Sequence, residues 1–203
     1  DHPPVFVAEI GSFFKKDIGR ALDFLAQVVD AGAPVFKTEI LHCADVVLAG
    51  AGLSHTYNHA HGQRTQDYRQ LIEERVVSLD DYARLFDASA KLGVPTVASV
   101  FDVEGIEFLQ QVGAAGVKLS RNYANHLVLI RACLQSGMPL IMDIGEVYMH
   151  ETQVIVDMAR ELDADLIINH HPGHNPATAA QHNLKIMDTY KAAFNVPVGL
   201  SDH

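Results

Sequence analysis

The run Ala164-Asp165-Leu166-Ile167-Ile168-Asn169-His170-His171-Pro172-Gly173-His174 limits the fold more than any other stretch. It is an apolar segment of strand length that discharges into histidines. The run Val196-Pro197-Val198-Gly199-Leu200-Ser201-Asp202-His203 repeats the pattern one unit later. A short apolar run bounded by turn residues reads as a buried strand, and strands buried on both faces belong to parallel sheets covered by helices. In a parallel barrel, successive strand ends open onto one shared bowl, so His170 and His203 can meet although 33 residues separate them.

The rest of the chain supplies the same unit repeatedly. Residues 5–11 read as a buried strand between Pro3-Pro4 and Gly11. Residues 17–30 carry Ile18, Ala21, Leu22, Leu25, Val28 and Val29 at helical spacing, Gly32 ends that helix, and 35–40 form the next strand. Residues 41–77 show no clean period and read as a lid, an ordered excursion or a mobile loop. Ser78, with Asp81 three residues on, caps a helix over 79–92 that Gly93 closes. Strands at 95–100, 116–119, 140–144, 166–168 and 197–200 then alternate with helices at 103–112, 124–135, 152–162 and 183–194. Seven strands alternating with helices predict an α/β fold, a TIM (β/α)8 barrel of which this chain covers strands one to seven. The reading is a single barrel domain over residues 1–203, expected to be C-terminally incomplete.

Composition narrows the partners. Of 203 residues, 48% are apolar, enough for one substantial core. Twenty-five acidic against fifteen basic residues give a formal charge of −10, which argues against general binding to nucleic acid or anionic membranes. Cys43 and Cys133 are too few for a disulfide scaffold and suit reduced thiols in a cytoplasmic protein. No signal peptide or bilayer-spanning run is expected, since the apolar stretch at 5–8 is short and Glu9 follows it. Dinucleotide, phosphate-loop and nucleophile-elbow motifs are absent.

Three sets of residues could carry chemistry. His170 and His203 are the best candidate pair for a divalent metal, because imidazole offers one nitrogen while the other can be fixed by an acceptor. His171 and His174 read as solvent-facing loop histidines. Glu9 and Glu39 end apolar strands, where a carboxylate needs a partner such as Lys37 or Lys118, or else serves in acid–base work. Lys37 and Lys118 lie inside apolar strands and are either structurally paired or anion-binding, with Ser99, Ser120, Arg121 and Asn122 as nearby donors. Asp102, Asp143, Glu146 and Asp202 add acid at strand exits, where Asp residues also cap helices. Asp143 is conspicuous because it interrupts Leu140-Ile141-Met142 and Ile144.

With these residues aligned, the chain resembles a divergent member of the sialic acid synthase family, whose relatives also make legionaminic and pseudaminic acids. The resemblance is carried by Ala8-Glu9-Ile10-Gly11, Gly32-Ala33-Pro34-Val35-Phe36-Lys37, Ala98-Ser99-Val100-Phe101-Asp102 and Val117-Lys118-Leu119. It continues through Met138-Pro139-Leu140-Ile141, Gly145, His170, Pro176, Asn183-Leu184 and the final run at 196–203. It implies a transferase of carbohydrate biosynthesis that condenses phosphoenolpyruvate with an N-acylated amino sugar. His170 and His203 would bind manganese, with magnesium the alternative ion. Lys37, Ser99, Lys118 and Ser120 would hold phosphoenolpyruvate, and Glu9 and Lys118 would be catalytic. Glu39, Asp102, Tyr123, Asp143 and Asp202 would contact the sugar.

The chain also departs from the family pattern. Ser12-Phe13-Phe14 follows the first motif where an Asn-His pair is usual, and Arg121-Asn122-Tyr123 replaces Ser-Gly-Glu. Asp143-Ile144-Gly145-Glu146 replaces Ser-Thr-Gly-Met, and Asp143 would repel a close phosphate. The family's small C-terminal antifreeze-like domain, which completes the site of a domain-swapped homodimer in many relatives, has no counterpart in these residues. Two other functions stay open: a metal-dependent aldolase or lyase acting on a related keto acid, and a non-catalytic sugar-acid-binding barrel.

Overall fold

Parallel pairing begins at the N-terminus, where β1 (Val7–Glu9) lies beside β2 (Val35–Glu39) with Val7 opposite Val35 and Glu9 opposite Lys37. The computed structural model describes residues 3–59, 62–173 and 176–202. It divides into two compact units, Asp1–Thr96 and Val97–His203.

In the first unit, α1 (Ile18–Asp30) joins β1 to β2 and starts where Asp17 Oδ1 accepts the Arg20 N–H at 3.1 Å. That cap accounts for Asp17 lying just outside the helix instead of within it. The next stretch is the main correction to the expected pattern. Residues 41–77 contain an antiparallel hairpin of β3 (Ser54–His59) and β4 (Gly62–Asp67), then α2 (Tyr68–Glu73). No apolar alternation announces the hairpin, because polar pairs hold it: Thr56 and Thr65 hydroxyls meet at 2.8 Å, and Tyr57 Oη donates to Gln66 Oε1 at 2.8 Å. Arg69 pins the preceding turn by donating to the carbonyls of Val47 at 2.7 Å and Ala44 at 3.3 Å and pairing with Asp45 at 2.8 Å. Helix α3 (Leu79–Lys91) begins as expected, with Ser78 Oγ accepting the Asp81 N–H at 3.2 Å. Helix α3 packs on α1, and Phe14, Leu25, Phe36, Tyr82 and Leu85 fill the core.

The second unit is a run of parallel strands in sequence order: β5 (Thr96–Ser99), β6 (Gly116–Leu119), β7 (Leu140–Asp143), β8 (Leu166–His170) and β9 (Val198–Leu200). The connecting helices are α4 (Val103–Gln111), α5 (Leu127–Gln135), α6 (Met149–Glu161) and α7 (Ile186–Phe194). Their starts differ from the periodicity by up to three residues for local reasons. Residues Arg121–Tyr123 form a 3-10 turn, and His126 Nδ1 accepts the Leu129 N–H at 3.1 Å, so α5 starts after His126. Glu151 accepts the Tyr148 N–H at 2.9 Å and draws the start of α6 forward to Met149. Asn183 has a left-handed backbone (φ 42°), which delays α7. Leu119, Ile130, Leu140, Met142, Ile155, Ile168 and Phe194 are fully buried. Cys133 is also buried, and that burial pushes its thiol up to about 12. Among the described residues, no helix is long and apolar enough to cross a membrane.

Candidate functional site

The parallel register decides which side chains in the second unit share a face. Ser99 lies opposite Lys118, Lys118 opposite Ile141, Asp143 opposite Asn169, and Asn169 opposite Gly199. Partners in register point the same way, and residues two apart along a strand share a face. Ser99, Lys118, Asp143, Asn169, Gly199 and Ser201 therefore line one face, towards the C-terminal strand ends. The apolar β6 and β7 sequences bury that face, so the charges on it must be compensated locally. Lys118 Nζ pairs with Asp143 Oδ2 at 2.9 Å and donates to Ser201 Oγ at 3.2 Å. Asp143 Oδ1 is buried and has no hydrogen-bond partner among the described residues.

Two glycines permit this packing. A Cβ on Gly199 would overlap Asn169 Oδ1, so only glycine lets the Asn169 amide lie against β9. A Cβ on Gly145 would overlap the carbonyl oxygen of His171, which brings the exits of β7 and β8 into close approach. Around that exit, Arg121 pairs with Glu146.

His170 ends β8, is 6% exposed, and lies in register with Leu200 on the face that carries Met142 and Ile168, opposite the strand face of Lys118, Asp143 and Asn169, so the register does not bring it together with that set. Its ring stands 6.2 Å from that of Tyr190. Nε2 is 2.7 Å from the His182 carbonyl oxygen, which can only accept, so Nε2 carries a proton, and in the neutral ring the lone pair is then on Nδ1. Nδ1 is buried and unpartnered among the described residues. An imidazole nitrogen in that condition suits a divalent metal, whose ligand must offer an unprotonated nitrogen held in place by a bond on the opposite side of the ring. His203, its expected companion, and His174 lie outside the described residues.

His182 itself bridges two acceptors, the Thr178 carbonyl at 2.8 Å and Asp202 Oδ1 at 2.5 Å. The bond to Asp202 above all, with help from Thr178, raises its pKa. Asp202, expected to contact a sugar, pairs with His182, a histidine not singled out from the sequence.

The remaining expected residues have separate settings. Asp102 Oδ1 caps α4 by accepting the Gly105 N–H at 2.8 Å. Ser120 precedes the 3-10 turn, and its carbonyl accepts the Tyr123 N–H at 3.0 Å. The Tyr123 ring is 6.2 Å from that of Phe101 and 6.3 Å from that of His126. In the first unit, Glu9 pairs with buried Lys37, which settles which lysine satisfies that carboxylate. Glu39 ends β2, and burial with its nearby charge raises the pKa of Tyr82. Phe13 and Phe14 behave differently from each other. Phe14 is fully buried, edge-on to Tyr82 at 6.3 Å, whereas Phe13 is 66% exposed beneath the Arg75 guanidinium at 5.2 Å.

Sequence reasoning did not single out Ser201, Asn169 or His182 as functional. Ser201 had a partial signal, being two residues beyond Gly199 on the same run, whereas the place of Asn169 beside Asp143 and Gly199 depends on strand register. The loop around His182 has no period from which its contacts could be read.

Comparison with known proteins relates this arrangement to a family. The chain is 24% identical over 202 residues to an N,N'-diacetyllegionaminic acid synthase from Legionella pneumophila, covering 97% of this chain and 56% of that protein. It is 22% identical over 205 residues to the N-acetylneuraminate-9-phosphate synthase of Mus musculus, covering 100% of this chain and 56% of that protein. The chain thus spans about half the length of these curated relatives. The crystal structure of an N-acetylneuraminic acid synthetase from Leptospira borgpetersenii, in complex with citrate, shares the α/β fold with a TM-score of 0.87 at 21% identity. That match covers 100% of this chain and 66% of the other. A family model described as the NeuB family matches residues 24–203, and the chain belongs to that family.

Proposed function

We propose that this chain provides the barrel of an enzyme that condenses phosphoenolpyruvate with an N-acylated amino-sugar aldehyde and water. The products are a nine-carbon 2-keto sugar acid and inorganic phosphate. In the balanced reaction, C3 of the enolpyruvate forms a bond to the aldehyde carbon, whose oxygen takes up a proton. Water adds at C2 and phosphate leaves by cleavage of its bond to that carbon, the two protons of the water ending on the new hydroxyl and on the departing phosphate, so that C2 becomes the ketone. Membership of the NeuB family supports the reading, as do relatives named for the synthesis of legionaminic acid and N-acetylneuraminate 9-phosphate. The observation that carries it is Lys118, a buried cation among polar groups at the C-terminal strand ends, where open parallel sheets and barrels bind ligands.

In this reading Lys118, with Ser99 and Ser120 on the same face, holds the anionic substrate and steadies charge as phosphate departs. Asp143 and Asn169 supply an acceptor and an amide for a polyhydroxyl ligand. Asp102, Tyr123 and Asp202 belong to the loops that would bound the sugar. Lys37, as a phosphoenolpyruvate ligand, Glu9, in proton transfer, and Glu39, towards the sugar, keep the roles implied by the family. His170, at the end of β8 on the face opposite Lys118, keeps with His203 the metal-holding role implied by the family, manganese with magnesium the alternative, and a bound ion would polarise an aldehyde oxygen. A closed eight-stranded barrel, a cytoplasmic setting and a homodimer complete the proposal.

Phosphate release, coupled to mass identification of products from phosphoenolpyruvate and a panel of N-acylhexosamines with manganese, tests it. A product heavier than the sugar by a pyruvate unit, formed with stoichiometric phosphate, is expected. No product across the panel from the full-length protein overturns the assignment. His170→Ala should lower bound manganese at least tenfold by elemental analysis, and unchanged occupancy removes His170 from the metal site.

The Lys118–Asp143 pair favours one other reading, an aldolase or lyase handling a keto acid without phosphate. Running pyruvate in parallel separates the two, because turnover with pyruvate alone selects the second. Ligand binding without turnover of either selects the non-catalytic barrel.

A further inference from the structure

Two cations leave β6 at its C-terminal end, and each already has a carboxylate. Lys118 is paired with Asp143 at 2.9 Å, the two side chains being 8% and 3% exposed, and Arg121 is paired with Glu146. Both carboxylates come from β7 and its exit, so the neutralisation is a property of two adjacent strands. A group bearing several negative charges that approaches Lys118 meets the Asp143 carboxylate at nearly the same range as the ammonium, in surroundings that screen poorly. Asp143 Oδ1 meanwhile has no donor among the described residues, although a buried carboxylate oxygen left unmatched is costly. The site as built is short of a hydrogen-bond donor and has no surplus of positive charge.

We propose that Asp143 is a specificity-determining residue: it acts as the built-in counter-anion of Lys118, weakening phosphate binding there and offering Oδ1 to an O–H or N–H group of the ligand. The inference rests on the proposed reading of Lys118 as the cation that holds the anionic substrate. A buried pair with a purely structural role would make a different prediction, since removing its carboxylate would cost stability and bring no gain in anion affinity.

The test measures binding of inorganic phosphate to the whole chain by calorimetry, for wild type, Asp143→Asn and Asp143→Ser. Both variants should bind phosphate at least tenfold more tightly than wild type, and the double variant D143N/K118M should lose that gain. Folded variants that bind phosphate no better than wild type overturn the proposal, as does a gain that survives loss of Lys118. Should neither single variant fold, carbon-13 spectra of wild type labelled at aspartate decide the matter. The assigned Asp143 carboxyl signal should move during a phosphate titration, and a signal that stays fixed at saturation overturns the proposal. The readout needs no turnover, so a failed condensation assay removes the proposed reaction and leaves this result standing. An unchanged phosphate affinity in an enzyme that does condense removes only the role given to Asp143.

Discussion

Lys118 shows what burial demands of a single charged residue. Its ammonium is held by Asp143 and Ser201, and replacing it alone leaves a carboxylate stranded in the interior. Lys118→Met should cost about 3–5 kcal/mol in urea denaturation, while the double variant K118M/D143L should recover most of that loss. Equal destabilisation by the single and double variants would show that the pair is not coupled. His182 makes a second residue-scale case. Both of its ring nitrogens face acceptors, so the protonated ring satisfies both bonds, and its pKa rises above the ordinary 6.5, chiefly through Asp202. A raised value in the folded state means that the contribution is complete below pH 6.5 and fades as pH climbs through the folded pKa. The difference in Tm between wild type and His182→Gln should accordingly be larger at pH 6 than at pH 8.5, with the His182 ring signals titrating above those of an exposed histidine. Lys37, Lys118 and Asp143 were legible in the sequence because a charge inside an apolar strand must find a partner. Which partner each finds depends on strand register, and register is invisible in one strand alone.

Among the elements, some helix starts were legible from a side-chain cap at the right spacing, although Asp67, which caps α2, was not read as one. Ser78 is the clearest instance, and Ser78→Ala should lower stability by about 1 kcal/mol in chemical denaturation. The α5 and α6 starts were misjudged because their caps involve His126 and Glu151, in a 3-10 exit and a charged first turn that apolar periodicity does not register. The β3–β4 hairpin escaped notice for a related reason: Thr56, Thr65, Tyr57 and Gln66 hold it by polar contacts, with no buried face among its described side chains. Arg69→Ala should free the turn at 44–47, and limited proteolysis should then cut there faster than in wild type. At the other end of the chain, Gly145→Ala forces a methyl group against the His171 carbonyl and should destabilise by about 1–3 kcal/mol in thermal or urea melts. A neutral effect would mean that the β7 and β8 exits can separate at little cost.

At the scale of the whole molecule, alternation of short apolar strands with amphipathic helices was enough to read an α/β class, and the similarity to an N-acetylneuraminic acid synthetase structure bears that class out. A repeating unit is legible because each copy restates the same burial pattern. What one sequence does not contain is the distance between residues far apart along it, which is why Ser201 emerged beside Lys118 only in three dimensions. The chain's two compact units raise the question of whether they open together, and Cys133 supplies the means to ask it. A thiol shut inside the second unit, with its ionisation pushed up to about 12, is deaf to alkylating reagents until the surrounding layers part. Its modification rate in native buffer is thus a natural stopwatch for the breathing of that half of the protein.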